Sequence, residues 1–281
     1  MADSVVIIPT YNKKENIENI IRKVFSLEKA FDILIVEDNS PDGTADIVKR
    51  LMQEFPGRLF IKERKGKLGL GTAYFSDTGV MVFKNSLDGK TLLVRIVNNE
   101  TVRGYVEGIE HIKGMGYSVQ AIVADGRRGI FNAFKDIPVQ LCHFHQVKTV
   151  TKYLTKRPKL EASKELRQLS LLLKCSDRRS FENSLDVWYA KWHETLDERT
   201  FFEKDGQERS TYTHMNLRKA YRSLRRNMPH LFVFEEWREL NIPNTTNCLD
   251  GHFSDLKNKL RNHNGLSRRR KVKMIMEYFS T

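Results

Sequence analysis

Gln120-Ala-Ile-Val-Ala-Asp125-Gly-Arg-Arg-Gly-Ile-Phe131, followed by Val139-Gln-Leu-Cys142-His-Phe-His145-Gln146, decides how this chain is read. An apolar run delivers Asp125 to its carboxyl end just where a glycine stops the strand and a helix begins. That is where an α/β sheet presents a functional carboxylate. A second, shorter apolar run ends in Cys142-x-x-His145. A plainer reading also fits: Asp125 caps a helix opening at Arg127, and Cys142 and His145 are core residues. The residues of this stretch alone leave both readings open.

At 281 residues the chain can bury one large core or two small ones. Its excess of basic over acidic side chains is 13, and it is unevenly placed. Residues 1–71 hold 12 basic and 11 acidic groups, leaving 36 against 24 in the remainder. A polyanionic partner therefore belongs to the second part. Three cysteines, at 142, 175 and 248, are too few and too scattered for a disulfide framework, which suits a reducing, cytoplasmic setting. No apolar run approaches membrane-spanning length, and Met1-Ala-Asp-Ser lacks the pattern of a signal peptide. Neither a leader nor a membrane span is expected.

Residues 1–73 alternate strand and helix signals. Val5-Val-Ile-Ile8 is a buried strand stopping at Pro9, and Asn12 can cap a helix with Ile17, Ile20, Ile21 and Val24 on one face. A second strand ends in the turn-rich Glu37-Asp38-Asn39-Ser40-Pro41-Asp42-Gly43-Thr44, which opens a helix reading Ile47, Leu51 and Phe55. Leu59-Phe-Ile61 is a third strand, followed by a glycine-rich run, Lys65 to Gly71. The pattern is half of a β-α-β-α-β nucleotide fold.

These residues resemble the opening of a family-2 glycosyltransferase of the polyprenol-phosphate mannosyltransferase type. The resemblance lies in Ile8-Pro-Thr-Tyr-Asn12, Val36-Glu-Asp-Asn-Ser-Pro-Asp-Gly-Thr44 and Gly66-Lys-Leu-Gly-Leu-Gly-Thr-Ala-Tyr74. It implies a GT-A-like half binding GDP-mannose, with Pro9, Tyr11, Asp38 and Lys67 as nucleotide contacts. Lys13 stands where the family has Glu, and Glu37 where it usually has Asp. After Tyr74 the Asp-x-Asp motif, the acceptor half and the membrane anchoring of that family do not follow. Without those carboxylates nothing holds the ion that neutralises a leaving diphosphate, so sugar transfer is not expected. Glu37 and Asp38 then read as a helix-capping turn.

From residue 74 onward the text changes. Gly79-Val-Met-Val-Phe83 and Leu92-Leu-Val-Arg-Ile-Val97 are strands joined by Asn85-Ser-Leu-Asp-Gly89. A helix with Val102, Tyr105, Val106, Ile109 and Ile112 on one face leads to the Asp125 strand, a short helix and the Cys142 strand. Residues 146–235 contain no convincing strand, only helical stretches at 166–174, 181–195 and 217–228, where Trp188 and Trp192 read as core. Asp250 falls in the first turn of a helix striped by Leu249, Phe253, Leu256 and Leu260. Lys257, Lys259 and Arg261 turn to its other faces, and Arg268, Arg269, Arg270, Lys271 and Lys273 ride on a last helix burying Met274, Ile275 and Phe279. These eight basic residues, with no acid among them, form either a solvated face or, together with His263, a phosphate-binding surface.

Residues 72–281 resemble the catalytic domain of Mutator-like insertion-sequence transposases, DDE/DDD recombinases of ribonuclease-H-like fold. The resemblance is carried by Thr72-Ala-Tyr-Phe75 with Gly79-Val-Met-Val-Phe83, Ala124-Asp-Gly-Arg-Arg-Gly129, Cys142-x-x-His145 and Asn244-Thr-Thr-Asn-Cys-Leu-Asp-Gly251, in that order. It implies an α/β mixed sheet interrupted by an all-helical insertion at about 146–240. The expected activity is metal-dependent cleavage and joining of DNA at insertion-sequence ends, with Cys142 and His145 as a family signature. Such a site needs three carboxylates, because Mg2+ or Mn2+ ions must be held about 3.5–4 Å apart. By resemblance Asp125 and Asp250 are the second and third, catalytic and metal-binding. The first should precede Thr72, where Gly71 stands. The two resemblances overlap on Gly71-Thr-Ala-Tyr74, so the chain reads as a fusion, residues 1–73 with 74–281. It is expected to lack the central first strand with its acid and to be catalytically defective, Asp77 being a poor substitute. Whether it forms a homo-oligomer stays open.

Overall fold

Two spacings of apolar residues build the first compact region. In the computed structural model, which describes residues 4–37, 40, 42–63, 65–86, 89–205, 207–263 and 265–280, strand β1 is Val5–Thr10, followed by helix α1, Ile17–Phe25. Strand β2 is Asp32–Glu37, helix α2 is Thr44–Glu54 and strand β3 is Leu59–Glu63. The strands form a parallel sheet in the order β1-β2-β3. Ile17 and Ile21, one helical turn apart, and Val48 and Leu51 on α2 are buried against Ile33, Ile35 and Leu59. Each such side chain stabilises the fold by about 1.5–3 kcal/mol. The loops at the carboxyl ends of β1 and β2 are stitched together. Backbone N–H groups of Asn12, Lys13 and Lys14 donate to Ser40 Oγ, Thr44 Oγ1 and Asp42 Oδ2 at 2.9, 2.9 and 3.0 Å.

Strands β4 (Lys65–Phe75), β5 (Thr78–Asn85) and β6 (Thr91–Val97) then form an antiparallel meander. Helix α3 (Val102–Gly114) leads to β7 (Ser118–Ala124), helix α4 (Ile130–Ala133) and β8 (Val139–Leu141), which runs parallel to β7. The sheet order is β6-β5-β4-β7-β8. This corrects the expectation of a sheet without its central strand. Lys65–Phe75 occupies the middle, with Gly71 opposite Val82 and Thr72 opposite Met81. The run reads as a glycine-rich loop in isolation, yet Gly71 suits close packing there. A Cβ on Gly71 would stand 2.7 Å from Leu249 Cδ2 and 3.3 Å from Phe253 Cε2.

The rest is helical with one exception. Helices α5 (His143–Leu154), α6 (Glu161–Leu172) and α7 (Arg178–Asp197) precede a hairpin of β9 (Arg199–Lys204) and β10 (Gln207–Tyr212). Helices α8 (Met215–Leu231), α9 (Val233–Glu236), α10 (Asn247–Asn262) and α11 (Arg268–Ser280) complete the chain. The hairpin corrects the all-helical reading of 146–235. Asp205 takes a left-handed φ of 56° at its turn, as an Asp-Gly hairpin requires. Leu166, Phe181, Leu185, Trp188 and Leu224 lie in one buried cluster, and the Trp188 indole N–H donates to the Ala162 carbonyl. A second cluster packs Leu249, Leu256, Ile275 and Phe279 of α10 and α11 on Val80 and Val82 of β5.

The chain divides into two compact units, residues 1–66 with 106–120, and 67–105 with 121–281. The division falls before β4's buried part, earlier than the 73/74 boundary expected. Among the described residues no helix is long and apolar enough to cross a membrane.

Candidate functional site

Asp125 immediately follows β7 and is partly buried. Gly126 turns the chain away with φ 84°, and a Cβ there would meet Leu141 Cδ1 at 2.5 Å, so only glycine fits. The helix that follows, α4, has Gly129 as its N-cap and no side-chain cap. Asp125 is therefore not a capping residue, and its carboxylate is left for another use. Beside it the sequence reading missed Glu100. The Tyr105 hydroxyl donates to Glu100 Oε1 at 2.8 Å and in turn meets Thr72 Oγ1 at 2.8 Å, while Arg127 Nη1 lies 3.0 Å from Glu100 Oε2. Burial, then the negative charge of Asp125, push the Glu100 carboxyl above its usual range, against the pull of Tyr105 and Arg127. Burial and the Glu100 charge likewise raise the Tyr105 phenol. An acid just before a helix ordinarily reads as dipole compensation, so nothing in the sequence set Glu100 apart.

The second half of the site is held by α5 and α10. Cys142 is fully buried at the start of α5, in a cluster with Ala121, Val123, Val233 and Ile242. The Thr246 N–H and hydroxyl both stand 3.3 Å from its Sγ, and that hydroxyl is also 3.1 Å from Asp250 Oδ2. His145 Nε2 lies 3.7 Å from Asp250 Oδ1. Burial opposes ionisation of both Cys142 and His145. His145 and Thr246 nevertheless hold the thiol below its ordinary range, and the thiol, Asp250 and Asp125 lift the imidazole above its own. The thiol and the imidazole thus draw each other toward their charged forms, with Asp125 and Asp250 both in electrostatic reach of the same ring. Asp250 stands in the first turn of α10, where the helix dipole favours a carboxylate.

Among the described residues no set of three or more His, Cys, Asp and Glu side chains is placed to hold a metal. At Gly71 the Cβ direction points to the apolar side chains of Leu249 and Phe253. Asp77 lies in the turn between β4 and β5, 3.6 Å from Lys271 Nζ.

The other expected residues fall into two groups. Lys257, Arg261, His263, Arg269 and Arg270 are exposed, whereas Lys259 pairs with Asp255 at 3.2 Å, Lys271 with Asp77, and Lys273 with Glu277 at 3.8 Å. Arg268 donates to Asn98 Oδ1. Among the nucleotide contacts, Pro9 and Tyr11 are exposed at the end of β1, and Asp38 lies outside the described residues. Lys67 belongs to the larger unit, buried in β4. Glu37 is fully buried and accepts the Ser40 N–H at 2.6 Å, as a structural turn demands.

Residues 5–75 match the glycosyl transferase family 2 model. Over 73 residues the chain is 41% identical to polyprenol monophosphomannose synthase of Mycolicibacterium smegmatis, covering 26% of this chain and 28% of that one. Over 70 residues it is 36% identical to dolichol-phosphate mannosyltransferase of Pyrococcus furiosus, covering 24% and 19%. The chain thus spans less than a third of the length of these relatives. The matched segment includes β4, a strand of the five-stranded sheet.

Proposed function

We propose that this chain joins the nucleotide-binding half of a polyprenol-phosphate mannosyltransferase-type enzyme to a DNA-binding unit derived from a ribonuclease-H-like DDE/DDD transposase, and that it neither transfers sugar nor cuts DNA. The first part is supported by the family match over residues 5–75 and by the parallel β-α-β-α-β arrangement. Pro9 and Tyr11, exposed at the end of β1, are its contacts for a GDP-sugar. With no Asp-x-Asp motif in residues 75–281, binding without transfer is the expectation.

The second part is supported by a β6-β5-β4-β7-β8 sheet in which an antiparallel meander precedes a parallel pair, the order of a ribonuclease-H-type sheet. One observation carries it: Asp125 at the end of β7 and Asp250 on α10, far apart in sequence, both act on His145. Cleavage and joining by this class use paired Mg2+ or Mn2+ ions to activate a nucleophile and stabilise the leaving oxygen. The residues present do not fit that pair. Gly71 supplies no carboxylate, and Glu100 is engaged by Tyr105 and Arg127. What remains is recognition of phosphates by the exposed Lys257, Arg261, Arg269 and Arg270.

Duplex DNA titrated in Mg2+ or Mn2+ is expected to bind with steep salt dependence and to stay intact. Nicking that disappears in Asp125→Ala would overturn the loss of cutting, and salt-independent or absent binding would overturn the DNA assignment. For the smaller unit, calorimetry with GDP and GDP-mannose is expected to give heat that Tyr11→Ala lowers. No heat with either ligand would remove that half of the proposal.

A further inference from the structure

Next to Asp125 lies a cleft of about 480 Å³ that the two acids do not use. Its volume falls in the range of small-ligand sites, about 300–1,000 Å³. One wall is formed by Gly126 and Gly129, with φ of 84° and 91°, neither of which carries a side chain of its own. Another is an aromatic step. The rings of Phe131 and His230 stack with centroids 3.8 Å apart and planes 6° from parallel. Burial holds the His230 imidazole below its usual range, against the charge of Glu236, so at neutral pH the step is uncharged.

Arg128 and Arg226 reach the same cleft, both exposed, and among the described residues neither pairs with a carboxylate. Asn132 and Asn227 add amide groups. Asn227 is held in place, since its Nδ2 donates to Gln146 Oε1 at 2.8 Å and Gln146 Nε2 donates to Ser223 Oγ at 3.1 Å. That leaves the Asn227 carbonyl oxygen as an acceptor. Two unpaired guanidiniums, a flat uncharged ring pair and amide edges are together the chemistry that recognises a nucleotide. The guanidiniums take phosphate oxygens, the rings take the base face and the amides take the base edge. An acidic peptide would use the guanidiniums but has no need of the stacked rings.

We propose that this cleft takes one unstacked nucleotide of a DNA strand, its phosphate held by Arg128 and Arg226. The inference rests on the DNA-binding reading of the larger unit and adds to it a position and a preference for single-stranded over fully paired DNA. The test titrates the full chain with a short single-stranded oligonucleotide carrying one 2-aminopurine, whose fluorescence falls when the base stacks. Quenching on binding is expected. His230→Ala should abolish the quenching and weaken binding about 5- to 150-fold, the span for losing one stacked base. His230→Phe, which keeps a ring over Phe131, should retain both, which separates stacking from a folding defect. Arg128→Ala with Arg226→Ala should flatten the slope of log affinity against log salt by about 1.4, or 0.7 per phosphate contact on a single strand. Binding with no quenching and no loss in His230→Ala would overturn the cleft while leaving the DNA reading standing. Failure of both single-stranded and duplex DNA to bind would overturn the two together.

Discussion

The three-stranded sheet of the smaller unit and the five-stranded sheet of the larger one part company in an instructive way. In the first, kinship is visible in the sequence, but the residues nominated for function do not gather. Pro9 and Tyr11 sit exposed at one strand end, while Lys67 is buried in β4 of the other unit. In the second, the nominated residues do gather. Asp125, Asp250 and Cys142 converge on one imidazole from three separate elements. Sequence similarity reports descent over the segment it covers, whereas convergence of charge reports what a site can do. β4 is where the two meet, because a segment matched to the first kind of protein forms the central strand of the second sheet.

The largest expected effect tests whether the five-stranded sheet is a core in its own right. Leu256 is fully buried beneath β5, and Leu256→Ala should cost about 2–5 kcal/mol. All three tryptophans, at 188, 192 and 237, lie in the larger unit, so the urea midpoint of tryptophan fluorescence reads that loss directly. An unchanged midpoint would mean that α10 does not cover the sheet.

Restoring the expected first acid should cost less and achieve little. Gly71→Asp places a Cβ 2.7 Å from Leu249 Cδ2, and overpacking of this kind costs about 1–3 kcal/mol. Adding Leu249→Ala should relieve the clash but leave a cavity. Neither variant should nick DNA in Mn2+, and nicking by either would mean the carboxylate turns toward Asp125 and Asp250 after all.

A pH series sharpens the electrostatic side of the contrast. The folded pKa of His145 is raised from 6.5, so its contribution to stability is complete below that value and is lost as pH rises through the folded pKa. Wild type should therefore exceed His145→Gln in stability most clearly in mild acid, with the margin shrinking as the pH rises. In Cys142→Ser the His145 ring, followed by NMR, should titrate lower than in wild type, because the sulfur that raises it is gone. An unmoved titration would show that the sulfur and the ring do not interact.

The smallest effect concerns the basic surface. Arg269→Ala with Arg270→Ala should reduce the salt slope of duplex binding by about 1.8, or 0.9 per phosphate contact. Lys271→Ala should do less, since Asp77 already neutralises that ammonium.

Strand β7, the turn at Gly126 and helix α10 were legible in the sequence because burial there repeats at the strand or helix period. The same holds for Asp125 and Asp250, which sit at the ends of those periodic segments. β4 was not legible. Gly66, Gly69 and Gly71 give it the look of a loop, and only the tertiary fold, where Leu249 closes on Gly71 in a strand paired with β5, accounts for the glycine at 71. The β9–β10 hairpin was hidden by exposure: charged Glu203, Glu208 and Arg209 break any alternation, although Asp205 before a glycine was a usable turn signal. Glu100 was hidden because its role depends on Tyr105 and Arg127, which only the tertiary fold brings to it.

Hydrogen exchange read amide by amide tests the placement of β4 most directly. If Lys65–Phe75 is the central strand, the amides of residues 68–75 should be protected as strongly as those of residues 79–84, and Leu256→Ala should lower both sets together. Rapid exchange across residues 68–75 while residues 79–84 stay protected would contradict the account, since the sheet would then lack its middle and Asp125 its setting.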